Sequence, residues 1–249
     1  MSNISLSVII PAFNEESRLG STLDNLFVYL SSRGLPFEIL IIDDGSSDGT
    51  FDIATQQARD NYSNRLRVFR NKSNRGKGYS VRRGMQHAKG AYALMTDADL
   101  SCPIQEITKL EKQVQEGSFD IAFGSRDIAG SQVEVHQHWA RESSGKVFNH
   151  LVHSLTGLPY QDTQCGFKYF NLSVCRELFD KQTIQGFGFD VEILYIARKW
   201  GLKAKEVPVV WRHADGSKLH FVPDALEMFL DLLRIRRNDR RGIYERSNS

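Results

Sequence analysis

The chain has 249 residues, 41% of them apolar, with 32 basic against 30 acidic side chains and a net charge of +2. That length fits one large α/β domain, or one domain with a short appendage, and the apolar share excludes global disorder. The near-neutral balance excludes a global basic field for nucleic acid, and three cysteines without metal-ligand spacing (Cys102, Cys165, Cys175) fit a reducing, cytoplasmic compartment.

The N-terminal segment MSNISLSVIIPAFNEE has no basic n-region and only a short apolar run. No stretch approaches the ~18 apolar residues of a transmembrane helix. LSVIIP (6–11) predicts a strand, and Leu19, Leu23, Leu26, Phe27 and Leu30 recur at helical spacing. FEILIID (37–43) reads as a strand buried on both faces. The polar loop DDGSSDGT precedes a helix from about Thr50 to Asp60, and LRVFR (66–70) is a third strand. NKSNRGKG leads into a helix over 79–89, and AYALMT (91–96) is a strand that ends directly at Asp97. A helix after Pro103 and the strand FDIAFG (119–124) complete a doubly wound pattern.

The second half is less regular. Residues 126–138 read as a polar loop and 139–156 as a helix. DTQCGFKYF (162–170) reads as loop then strand. Phe189, Ile193, Ile196, Ala197 and Trp200 mark a helix, KAKEVPVVW (203–211) a strand, and 223–237 a final helix. The expected division is an α/β domain over 1–220 and an amphipathic helix with a basic tail over 221–249.

In open α/β sheets, ligands gather at the carboxyl ends of the strands. Four polar clusters fall there: Pro11 to Glu15, Asp43 to Asp48, Asn74 to Gly78, and Asp97 to Asp99. Any one alone is ordinary turn chemistry. Two carboxylates at the mouth of a buried strand repel and lose hydration unless a cation sits with them. Hard oxygens suit Mg2+ or Mn2+, which keep positions open for substrate phosphates. Neither DDGSSDGT nor the Gly76-Lys77-Gly78 loop matches a P-loop or dinucleotide fingerprint. Asp44 could accept hydrogen bonds from a base or ribose, whereas Asp48 reads as a cap for the helix from Thr50.

In order, SVIIPAFNEE, IIDDGSSDGT, NRGKGYSVRRGM, MTDADLS, FGSR, DTQCGFKYF, FDVEILYIA and EVPVVW resemble family 2 glycosyltransferases over nearly the whole chain. The likeness is strongest to the dolichyl- or polyprenyl-phosphate sugar synthases, and TQCGFK is similar to the β-glucosyltransferases among them. The resemblance implies a GT-A type α/β fold with a mostly parallel central sheet flanked by helices. It implies a nucleotide-sugar donor held by Pro11, Phe13, Glu15, Ile42, Asp44, Lys77, Asp97, Ala98, Asp99, Arg126, Arg212 and Lys218. Asp97 and Asp99 would hold the metal, and with Arg126 they form the expected catalytic set. Some relatives carry glutamine as a third metal ligand where this chain has Ser101, and many carry transmembrane helices.

The acceptor decides whether a base is needed. A phosphate monoester, with a second pKa of about 6, is largely a dianion at neutral pH and needs only positioning and cations. Arg141 and Lys146 are the candidates to bind it. A saccharide or protein hydroxyl would need a base, for which Asp162 or Asp190 is available. The expected reaction is inverting transfer of a hexose, glucose from UDP-glucose, to polyprenyl phosphate; the alternatives are a hydroxyl acceptor or a non-catalytic nucleotide-binding module. The C-terminal helix offers apolar Phe221, Val222, Leu226, Met228, Phe229, Leu230, Leu232, Leu233 and Ile235, and residues 234–241 hold five arginines against Asp239. Such a segment can lie peripherally on the cytoplasmic face of an anionic membrane.

Overall fold

A computed structural model describes residues 4–62, 64–134, 149–212 and 221–246. The strands are β1 (Leu6–Ala12), β2 (Phe37–Asp43), β3 (Leu66–Arg70), β4 (Tyr92–Met95), β5 (Ile121–Ser125), β6 (Gln132–Val133), β7 (Lys168–Asn171), β8 (Ala204–Pro208) and β9 (Val210–Trp211). The helices are α1 (Glu16–Ser32), α2 (Thr50–Asp60), α3 (Lys77–His87), α4 (Ile107–Glu111, flanked by a 3-10 and a π turn), α5 (149–156), α6 (Leu172–Lys181), α7 (Phe189–Lys199) and α8 (Phe221–Arg240).

The main sheet runs β3-β2-β1-β4-β7-β5-β8. Its first four strands are parallel, with Pro11 opposite Ile42 and Ala12 opposite Asp43, so their carboxyl ends finish together. β7 then enters antiparallel between β4 and β5, which departs from a uniformly doubly wound order. This strand returns DTQCGFK to the mouth of β4, pairing Met95 with Lys168.

Both faces of the sheet are covered, which is why β1 and β2 read as continuous apolar runs. Val8 and Ile10 pack with Leu19, Leu23 and Leu26 of α1, while Ile9 packs with Val81 and Met85 of α3 on the opposite face. One charged exception is Glu38 in β2. It is buried but satisfied by Arg67 (2.8 Å), the Ser7 hydroxyl (2.8 Å) and the Lys89 N–H (2.6 Å).

The expected strand over 203–211 divides at Val209: β8 stays in the main sheet, and β9 pairs with β6 in a small second sheet. Residues 126–138 therefore contain a short strand rather than only a loop. The final helix buries Leu232 and Ile235 in the core that contains α7. Tyr244, just beyond it, donates to Glu192 (2.6 Å) and accepts at its carbonyl from Trp200 Nε1 (2.7 Å). Among the described residues, no helix is long and apolar enough to cross a membrane.

Candidate active site

The four polar clusters are wired to one another in series. Asn14, left-handed at φ 54°, donates its N–H to Ser46 Oγ (2.9 Å) and accepts the Ser47 N–H at Oδ1 (2.9 Å). Glu15 donates its N–H to Thr50 Oγ1 (2.6 Å), and its carboxylate meets Arg18 at 2.9 Å. These contacts join the ends of β1 and β2. Asp44 then accepts from Asn71 Nδ2 (2.6 Å), Arg75 N (3.0 Å) and Gly76 N (2.7 Å), which joins β2 to the loop before α3. Lys77 Nζ completes the series, 2.6 Å from Asp97 Oδ1 at the end of β4.

Asp48 accepts from the Thr50 N–H (3.0 Å) and also from the Glu16 N–H (3.2 Å), so it serves both helices at their starts. Asp44, considered above as a partner for base or ribose, holds the 75–76 backbone and the Asn71 amide. It is 4% exposed. Ile42 is fully buried beneath α3, where Gly84 allows close approach. Pro11 and Phe13 are partly exposed at the mouth.

The Asp97-Ala98-Asp99 turn is held from several sides. Thr96 donates its N–H to the Ile9 carbonyl (3.1 Å), and Thr22 Oγ1 donates to the Ala98 carbonyl (2.7 Å). Ala98 turns its methyl into the core, so only its backbone is left to face a donor. Leu100 sits in the left-handed region at φ 48°. That conformation costs a side chain roughly 1–2 kcal/mol and is held here by the surrounding contacts. Ser101 donates its N–H to Asp99 Oδ1 (2.9 Å) and accepts the Arg212 N–H at its carbonyl (2.7 Å). Arg212 is thereby brought beside the acidic turn, with its guanidinium on Glu134 at 2.9 Å.

A second group closes the site from β5, β7 and α7. Arg126 forms a two-pronged ion pair with Asp162 (2.7 and 2.8 Å) and lies over the Trp211 ring at 5.6 Å. Burial would raise the Asp162 carboxyl, but Arg126 outweighs it and holds the group below the usual carboxylate range. Lys168, buried at the start of β7, donates to the Cys165 carbonyl (2.6 Å) and pairs with Asp190 Oδ1 (2.6 Å). Burial raises the Asp190 carboxyl, with Lys168 and Lys77 opposing. Gly166 lies against Asp97 so closely that a Cβ would overlap the carboxylate.

Sequence reading assigned no role to Gly166 or Lys168 and gave Lys77 only a minor one. The available signal was a lysine opening the apolar strand KYF, which in a buried setting demands an acid. Arg141, Lys146 and Lys218 lie outside the described residues, as does the first part of the helix expected over 139–156.

The donor set can be tested against a divalent ion. Among the described residues, no three His, Cys, Asp or Glu side chains converge on one point, so an all-protein cage is not built. Asp99 Oδ2 has no donor among the described residues, and Asp97 Oδ1 already holds a cation. Two carboxylates beside an open mouth fit Mg2+ or Mn2+ completed by phosphate and water.

The description "Glycosyl transferase family 2" matches residues 7–179. A dolichyl-phosphate beta-glucosyltransferase of Dictyostelium discoideum is 36% identical over 98% of this chain and 77% of its own length. The enzymes of that name from Saccharomyces cerevisiae and Homo sapiens are each 34% identical, over 97% and 93% of this chain and 77% and 74% of their own. Among solved structures, glucosyl-3-phosphoglycerate synthase from Mycobacterium tuberculosis, in complex with Mn2+, UDP and phosphoglyceric acid, superposes with a TM-score of 0.69 at 19% identity, covering 93% of this chain and 78% of that one. Mannosyl-3-phosphoglycerate synthase from Rubrobacter xylanophilus gives 0.67 at 18%, covering 99% and 77%. The fold is thus the GT-A type, and the chain belongs to glycosyl transferase family 2.

Proposed function

We propose that this enzyme transfers glucose from UDP-glucose to a polyprenyl or dolichyl phosphate, with inversion at the anomeric carbon. The observation that carries the acceptor is the state of the two carboxylates available as a base. Asp162 is clamped by Arg126 and held in its weakly basic form. Asp190 is 3% exposed, with Lys168 against its Oδ1. Both carboxylates are thus occupied by cations of the chain itself, whereas a phosphate dianion attacks without a base. The names of the relatives support the same reading.

Asp97 and Asp99 would hold Mg2+ or Mn2+, which when bound neutralises charge on the leaving nucleoside diphosphate. Arg212, anchored through Ser101, adds positive charge beside that leaving group, and Lys218 and Arg126 are proposed to share the task. Arg141 and Lys146 are proposed to bind the acceptor phosphate.

The membrane contact belongs to the same proposal. Leu226, Leu230 and Leu233 project from α8 at 60%, 50% and 43% exposure, in line with exposed Arg234, Arg237, Arg240 and Arg241. A leucine stripe running into arginines suits an anionic lipid surface. The three described cysteines are buried free thiols, which fits the reducing cytoplasmic side.

The test is a transfer assay with UDP-glucose, other UDP- and GDP-sugars, and a short polyprenyl phosphate. Glucolipid should form from UDP-glucose with Mg2+ or Mn2+. Transfer to saccharide or peptide hydroxyls, with none to the lipid phosphate, would favour the hydroxyl-acceptor reading.

A further inference from the structure

Like charges gathered at Asp97 and Asp99 need a cation, and this chain supplies one of its own. Lys77 Nζ lies 2.6 Å from Asp97 Oδ1. Gly166 presses nearest to Asp97 Oδ2, on the oxygen opposite the one that Lys77 covers, and the Asp97 side chain keeps 37% exposure. At 2.6 Å the ammonium and the carboxylate form a direct ion pair.

Lys77 is also well placed to move. It is the first residue of α3, with Gly76 before it at φ 97° and Gly78 after it. The backbone beside it is fixed: Gly76 N–H is held by Asp44, and the Tyr79 N–H by the Gln185 carbonyl (3.1 Å). Only the flexible four-carbon stem needs to swing, between Asp97, the field of Asp190 and an incoming phosphate.

We propose that Lys77 is a place-holding cation: it occupies Asp97 in the free enzyme and gives up that oxygen when a divalent ion arrives together with a nucleoside diphosphate. A divalent ion alone must displace a charge already in position, at a site whose net charge Lys77 has reduced. A diphosphate offers the displaced ammonium a new anion, so metal and nucleotide bind with positive coupling. The inference rests on the donor half of the proposed function and on nothing about the acceptor.

The test uses the full chain, Mn2+ and UDP, with free Mn2+ read by electron paramagnetic resonance. In the wild-type protein, UDP should tighten Mn2+ at least about tenfold, within the usual range of site coupling. Lys77→Met should bind Mn2+ alone about tenfold more tightly than wild type, and most of the benefit of UDP should vanish. Lys77→Arg should retain the wild-type pattern. Melting curves give a second readout: Mn2+ alone should stabilise Lys77→Met and leave the wild type nearly unmoved. Lys77→Gln serves if the methionine variant does not fold.

Equal nucleotide-free Mn2+ affinity in wild type and variant overturns the proposal, as does wild-type Mn2+ binding that ignores UDP or is undetectable with it. No lipid or sugar acceptor enters these measurements. Failed glucosyl transfer with the expected Mn2+ pattern would therefore remove the acceptor reading and leave Lys77 in this role.

Discussion

Gly166 faces the Asp97 carboxylate at a distance that leaves no room for a Cβ. The contact brings the start of DTQCGFK, next to the antiparallel strand β7, against the acidic turn after β4. One side of Asp97 is thus set by Gly166 and the other by Lys77.

Gly166→Ala should therefore act on Asp97 before it acts on the fold. The added methyl would push the carboxylate off its Lys77 contact, and displacement of a positioned group by about 1 Å can cost on the order of 10²-fold in rate. We expect kcat/KM for glucosyl transfer to fall 10- to 100-fold, by that same reasoning, with a melting temperature close to wild type. A large fall in melting temperature with unchanged activity per folded molecule would show that the contact is only structural.

The Arg126–Asp162 pair joins FGSR to DTQCGFK and is stacked on Trp211. Asp162 is buried, so Arg126→Met strips the carboxylate of its hydrogen-bonded counter-charge, a loss of about 3 kcal/mol. Asp162→Asn should cost less, since Arg126 retains access to solvent. In denaturant titrations the double variant should be more stable than the two single losses summed, with a coupling of roughly 1–3 kcal/mol. Simple additivity would mean that the pair does not act as a unit.

Asp231 on α8 reports how the last helix is docked. It is 1% exposed, pairs with Arg234 (2.8 Å) and lies against Gly188 at the start of α7. Burial pushes its carboxyl up to about 6, against the partial opposition of Arg234. The folded state therefore favours the protonated form. The associated stability is fully present below the unfolded value of about 4 and is lost as pH rises through about 6. Asp231→Asn should raise stability by about 2 kcal/mol at pH 7.5 and by little at pH 4, measured by melts across that range. An equal effect at both pH values would exclude the titration of Asp231 as the cause.

The leucine stripe of α8 separates membrane contact from folding. Leu226, Leu230 and Leu233 are already exposed in the docked helix, so replacing all three by Gln should leave the melting temperature within a few degrees. Each leucine entering an acyl boundary contributes on the order of 1 kcal/mol. Sedimentation with anionic vesicles should therefore weaken at least tenfold, by that same sum. Unchanged sedimentation, or none in the wild type, would remove the membrane contact.

The strands that end at the site are legible in the chain, because apolar runs such as LSVIIP and FEILIID stop at turn residues. The sequence also determined the family, through ordered motifs that span most of the chain. It did not carry the burial of Ile42 or the hold of Asp44 on the Gly76 N–H, because burial and hydrogen-bond partners are not local properties. Folding adds that β7 runs antiparallel beside β4, that Gly166 bounds Asp97, that Arg126 is held by Asp162, and that Lys77 provides the cation beside the acidic pair. Those relationships join residues far apart in the chain. They are fixed by which strands pair and which charges burial forces together, and no short stretch of sequence carries either.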